Sequence, residues 1–196
     1  MVTLFGDCSI EYIKNMGKTY DEIDEKLADW IQQQKVFFVA TAPLSGDGLV
    51  NCSPKGLDTF RVLSPNEVAY LDYAGSGVET IAHIRENSRV TIMMCSFVGP
   101  PIIYRFQGKG TVYEKGTPEF AEAMQHFEDH PGARSIIHVK LLRISDSCGW
   151  GVPFYDYVGD RDSLTKWGEK KGEDGVREYC QKNNKTSLDG LPGVSD

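Results

Sequence analysis

The stretch RVTIMMCSFVGPPIIYRFQGKGTVY, residues 89–113, decides the fold class of this chain. Its first nine residues are almost continuously apolar and rich in β-favouring side chains, so they read as a strand buried on both faces. After the Gly99-Pro100-Pro101 break the pattern changes. Ile102, Tyr104 and Phe106 alternate with Ile103, Arg105, Gln107, Lys109 and Thr111, the period of a strand with one apolar face.

Working outward, KVFFVATA and LVNCSP, joined by PLSGDG, read as a hairpin. EVAYLDY follows the turn at 64–66 as a third strand, and ARSIIHVKLLRIS is a last, long one. Helices fall between them. Thr19 and Glu22 have capping-box spacing and predict a helix over about 20–33, with Ile23, Leu27, Trp30 and Ile31 on its apolar side. Ser76 and Glu79 form a second box before a short helix. Thr117 with Pro118 opens a third, whose inward stripe is Phe120, Ala123, Met124 and Phe127. SLTKWGEKKGEDGVREYCQKN reads as one or two mixed-charge helices. Six antiparallel strands with helices between them predict a mainly β fold with α attachments, a closed barrel rather than a doubly wound sheet.

Composition narrows the function. The chain has 196 residues and a net charge of −7, against a nucleic-acid surface or an anionic membrane as partner. Its five cysteines are scattered and form no C-x-x-C pair, which fits a reducing compartment. With no secretory signal and no apolar run of membrane length, the expected location is the cytoplasm.

Several stretches could carry chemistry. In YLDYAGSGVET (70–80) a strand end runs through two glycines into a helix start, a natural anion site. The alternative is a helix start satisfied by its own Ser76 and Glu79. NCSPKG places Ser53 and Lys55 at a strand end, with Arg61 following and Arg105 on a polar strand face. These cations suit a phosphate tail, though each taken singly reads better as a solvated surface charge. Glu122, His126 and His130 have i, i+4, i+8 spacing, but a solvated face is the better reading and no metal is expected. Cys148 has no identifiable partner for a nucleophile's role. SDSCGWGVPFYDYVGDRD (145–162) gathers Trp150, Phe154, Tyr155 and Tyr157 around glycines, more ring surface than a linker needs.

Taken together, VNCSPKGLDTFRVLSPNEVAYLDYAGSGVETIAHIRENSRVTIMMCSF, PPIIYRFQGKGTVY and RISDSCGWGVPFYDYVGDRD resemble the pyridoxamine 5′-phosphate oxidase-like flavoproteins, over about residues 35–190. The likeness is to a branch with SPKG, GSG-x-ET, GPP and SDSCG-[YW]-GVP blocks. It implies a six-stranded FMN-binding split β-barrel, working as a homodimer with FMN at the subunit interface. The chain then divides into an N-terminal segment and helix (1–34), the split barrel (35–147), and an aromatic arm with C-terminal helices (148–196), all in one domain.

By the same resemblance Lys55 matches a phosphate-binding lysine. Leu71, Asp72, Tyr73 and the turn with Ser76 and Gly77 would lie along the flavin and its ribityl phosphate. Where the B6 enzymes carry an Arg-Lys pair after the turn serine, this chain has Gly77, Val78 and Glu79. The phosphate then needs Lys55, Arg61, Ser76, Thr80 or Arg105. The C-terminal substrate motif of the B6 enzymes is also missing. The resemblance thus implies an FMN-dependent oxidoreductase for another small molecule, and the aromatic arm would either cover the partner's cofactor with Trp150 or Tyr155 or pack the dimer core with Trp150 and Phe154. Relatives on this barrel bind F420 or haem, so a non-catalytic binding or sensing protein is the alternative.

Overall fold

The computed structural model describes residues 17–195; the first part of the expected N-terminal segment lies outside them. The order is β1 (Thr19–Tyr20), α1 (Glu25–Gln33), β2 (Phe37–Thr41), β3 (Asn51–Lys55), β4 (Phe60–Ser64), β5 (Glu67–Tyr73), α2 (Glu79–Asn87), β6 (Arg89–Cys95) and β7 (Ile102–Glu114). Then follow α3 (Pro118–Ala123), a 3-10 turn (Met124–His126), β8 (Ala133–Cys148) and α4 (Ser163–Asn183).

All pairings are antiparallel, in the order β3-β2-β6-β7-β8-β5-β4, with β1 added to β8. β3 and β4 are the two edges and do not pair, so among the described residues the sheet curls without closing. The architecture is the expected split barrel, with eight strands instead of six. The two extra strands are β1 and β4. β1 exists because the Asp146 carboxylate accepts from the Gly17 and Lys18 N–H groups and from the Tyr20 hydroxyl, holding that segment extended against β8. The first helix accordingly starts later than its sequence spacing predicts: Asp24, not Thr19, is the N-cap, accepting from Leu27 N at 2.7 Å.

The core fills the curl. Val39, Tyr70, Ile92, Phe106, Ile137 and Ile144 come from the strands, and Ile81 and Ile84 from α2. Gly110 makes that helix fit, since a Cβ there would stand 2.9 Å from the Ile84 Cδ1. Behind β5 and β8 a second cluster joins Leu71 and Ile136 to Phe120 of α3. Thr117 caps α3 as expected, with Pro118 in its first turn. α4 is two helical stretches that meet at a kink at Gly172, whose φ of 65° and ψ of 173° are not helical.

Two local expectations change. β6 alternates between buried Val90, Ile92 and Met94 and half-buried Thr91 and Met93, so only one of its faces is fully covered. α3 gives way to the 3-10 turn after Ala123, so Glu122, His126 and His130 share no helical face. Instead the His130 ring packs edge-on against Tyr73, with Nδ1 accepting from Gly132 N.

Candidate functional site

The open side of the curled sheet gathers the most charge in the interior. Lys55, at the end of β3, and Asp72, near the end of β5, sit on strands that are not neighbours. Their ion pair, Lys55 Nζ to Asp72 Oδ1 at 2.7 Å, therefore spans the split. The second carboxylate oxygen accepts from Arg134 Nε, also at 2.7 Å. The Asp72 side chain is 1% exposed, a place where an unpaired carboxylate would take up a proton. Burial pushes its pKa up, but the charges of Arg134 and Lys55 outweigh burial and hold it at about 2.

The network continues into the glycine turn. Arg134 Nη1 donates to the Gly77 carbonyl and to Asn184 Oδ1, each at 2.8 Å. Asn184 Nδ2 donates to the Gly75 carbonyl at 2.9 Å. Neither glycine has a left-handed φ. A Cβ on Gly75 would meet nothing within 4 Å, and one on Gly77 would meet only the Glu79 carboxylate. Gly75 thus keeps open space beside the chain, while the Glu79 carboxylate fills the space at Gly77. The N-cap of α2 is Val78 rather than Ser76, with no side-chain cap. Ser76 is two positions too early, and the Glu79 carboxylate accepts instead from Leu188 N in the C-terminal tail.

Beside this network lies a cavity of about 500 Å³, lined by Lys35, Lys55, Gly56, Leu71, Tyr73 and Gly75, with Asp160 and Arg161 from the segment before α4. That volume is in the range of small-molecule sites. Burial, then the nearby Glu128, Asp129 and Asp58 carboxylates, raise the Tyr73 pKa, so its hydroxyl stays a donor at neutral pH. A larger cavity of about 630 Å³ lies between the α3 region and α4. It takes only Arg134 from the network. Its charged walls are already tied, Lys115 to Glu173 and Arg177 to Asp174, leaving little to orient a ligand.

The sequence-derived residues separate into groups. Lys55, Leu71, Asp72 and Tyr73 come together, with Ser76 and Gly77 exposed on the adjoining turn. Ser53 and Thr80 belong to a neighbouring polar chain. In it Ser53 Oγ donates to Asn51 Oδ1 at 3.0 Å, and Asn51 Nδ2 donates to Thr80 Oγ1 at 3.0 Å. Arg61 lies apart, forked onto Asp58 and stacked over Phe127, and Arg105 donates to Ser147 Oγ at 2.8 Å. Neither guanidinium lines the cavity.

Sequence reading passed over Arg134 and Asn184. A signal existed for the first: an arginine opening the apolar run SIIHV, opposite a lone aspartate in EVAYLDY, marks a buried ion pair. The aromatic arm leaves β8 at Cys148 and passes Phe97, whose carbonyl accepts from Tyr155 N. Further on, Lys35 Nζ stands 5.7 Å from the Tyr157 ring centroid, and the chain then reaches the cavity at Asp160. Gly149 is bent for close approach, since a Cβ would stand 2.8 Å from Ile102 N, whereas Gly151 is open.

Comparison with known proteins gives the site its context. HupZ of Group A Streptococcus is 22% identical with a TM-score of 0.49, covering 62% of this chain and 91% of that one. A pyridoxamine 5′-phosphate oxidase-related, FMN binding protein of Nostoc punctiforme is 11% identical with a TM-score of 0.44, covering 57% and 73%. In sequence, the Pyridoxamine 5′-phosphate oxidase family protein ustO of Aspergillus flavus is 40% identical over 194 residues, 89% of this chain and 77% of its own length. The family model described as Pyridoxamine 5′-phosphate oxidase matches residues 23–148, from before α1 to the end of β8. The match takes in Lys55, Asp72, the glycine turn and Arg134, and on it the chain belongs to the pyridoxamine 5′-phosphate oxidase family.

Proposed function

We propose that the chain binds FMN in the cavity beside Lys55 and acts as an FMN-dependent oxidoreductase on a small molecule. The observation that carries this reading is the Lys55–Asp72–Arg134 network, set between a ligand-sized cavity and a glycine turn open at Gly75. The residues fit the group. A flat ring system suits the wall of Leu71 and Tyr73, and an anionic tail suits the uncapped start of α2. Bound FMN would supply the hydride or electron chemistry. The protein's part is to bind, orient and set charge. Lys55 stands at the cavity wall with the ionised Asp72 carboxylate behind it, and Tyr73 offers a hydroxyl donor.

A homodimer in the cytoplasm belongs to the same reading. Trp150, Phe154, Tyr155 and Tyr157 are 63%, 70%, 63% and 53% exposed, an apolar cluster that suits an interface. The expected interface is of the obligate class, above about 2,000 Å² in total. The purified protein's absorption spectrum tests the cofactor, because oxidised flavin, deazaflavin and haem absorb differently. Reduction by a nicotinamide donor and reoxidation by a defined acceptor separate an enzyme from a passive carrier. A colourless protein that takes up no added FMN would refute the reading.

A further inference from the structure

The cavity beside Lys55 carries more positive charge than the protein itself uses. Lys35, Lys55 and Arg161 line it against a single carboxylate, Asp160, in a chain whose net charge is −7. Lys55 is tied to Asp72; the other two cations are not tied. Arg161 lies between the aspartates of GDRD, and each of these has another partner. The Tyr157 hydroxyl takes Asp160, and Lys166 pairs with Asp162. Among the described residues Arg161 has no hydrogen bond, ion pair or ring contact. Lys35 has no ion pair there either, since the Asp58 carboxylate within reach of its charge is already forked by Arg61. Tyr157 brings the two cations to one rim: its ring lies under the Lys35 ammonium, and its hydroxyl holds the residue next to Arg161. Between them the wall is apolar, with Val36, Leu57 and Leu164. Leu57 is held there at φ of 62°, a conformation that residues with a Cβ rarely adopt and that clusters at ligand sites.

We propose that the substrate is a small carboxylic acid with an apolar body, and that Arg161 and Lys35 recognise its carboxylate. This deepens the FMN reading and rests on it: with the flavin's anionic tail at the start of α2, these two cations are left for a second ligand. A guanidinium matches a carboxylate with two parallel N–H groups, and an ammonium adds a point charge beside it. In a partly enclosed cavity both are worth more than they are in open water. The acid's apolar part then has Leu57 and Leu164 to lie against. Anchoring one end of the acid restricts its poses, which is how a binding group contributes to a reaction it takes no part in. A neutral amide of the same shape leaves both cations without a partner, so the site discriminates by charge.

The test uses the full chain, with and without added FMN, and two pairs of probes: benzoate with benzamide, and hexanoate with hexanamide. Calorimetry gives every affinity. In the wild type the acids bind and their amides bind at least about tenfold more weakly, the scale of one charge-assisted hydrogen bond. Arg161→Gln removes that preference and leaves FMN affinity as it was. Arg161→Lys, which keeps the charge and loses the fork, falls between the two. Lys35→Gln weakens the acids by a smaller factor. Arg161 and Lys35 are both exposed, so these variants keep the fold, and an unchanged melting temperature checks this. Amides that bind as well as acids, or unchanged acid affinity in either glutamine variant, overturn the proposal. If Arg161→Gln weakens FMN as much as benzoate, Arg161 serves the flavin's own phosphate; the proposal then falls and the FMN reading stands. The same holds if FMN binds and the acids do not. If the acids bind through Arg161 and no FMN binds, the FMN reading falls and the carboxylate site stands. If nothing binds, both fall.

Discussion

Replacing Asp72 by asparagine removes the charge that the buried Arg134 and the half-buried Lys55 share, and the size of the effect follows from the geometry. The Asp72 pKa drops from an ordinary 3.8 to about 2 on folding. With about 1.4 kcal/mol per pH unit, that depression is worth about 2 kcal/mol. The sign follows from linkage. A carboxylate with a lowered pKa contributes stability above its unfolded-state value, here near pH 4, and loses it as the pH falls towards 2. In the wild type, urea unfolding followed from pH 6 to pH 2.5 should show this loss on top of that from other acids.

Asp72→Asn lacks the Asp72 portion, so its stability falls less steeply over the same interval. At pH 6 the variant also leaves Arg134, 7% exposed at its side chain, without its partner, a change that costs about 3–5 kcal/mol. Two results would refute the reasoning. One is a pH profile as steep as the wild type's; the other is a cost below about 1 kcal/mol at pH 6, which would mean the ion pair is hydrated and not sealed in the split.

Lys55→Ala should weaken FMN by about 1.5–3 kcal/mol, read by calorimetric titration, with a stability loss as well because Asp72 loses one partner. Unchanged affinity would remove Lys55 from the site. Trp150→Ala should leave the folded monomer's stability within about 0.5 kcal/mol, since the ring is exposed there. If the ring covers the partner's flavin, bound-flavin fluorescence rises and the dimer mass by light scattering stays; dimer loss with unchanged emission makes it interface core instead. Thr117→Ala removes the acceptor for Phe120 N and should cost about 1 kcal/mol in thermal unfolding; no change would mean that the turn at Gly116 alone sets the helix start.

The strands that carry the core were legible in the chain, because alternation and apolar runs are local signals. Residues 89–113 show two strands, with the faces assigned for the second but not the first, and the structure pairs them as β6 and β7 with Ile92 opposite Phe106 in the core. Thr117 and Pro118 likewise mark their helix by local chemistry. β1 and β4 were not legible: β4 is half-buried along its whole length and shows no alternation, and β1, two residues long, is held by Asp146, more than a hundred residues along, through the N–H groups just before it.

Lys55, Asp72 and the glycine turn were named from sequence, by residue type and by resemblance. Their grouping into one charged network was not, since β3 and β5 meet only where the curled sheet fails to close. Arg61 and Arg105 show the same limit from the other side. As cations near a strand end they look equivalent to Lys55 on paper, yet Asp58 and Ser147 take them elsewhere. Sequence by itself determined the six long-range strands of the core and the existence of the helices, because periodicity, caps and turn residues act over a few positions. Only the tertiary structure decided which charges share a buried space, because desolvation and Coulomb energy depend on distance through the fold and not along the chain.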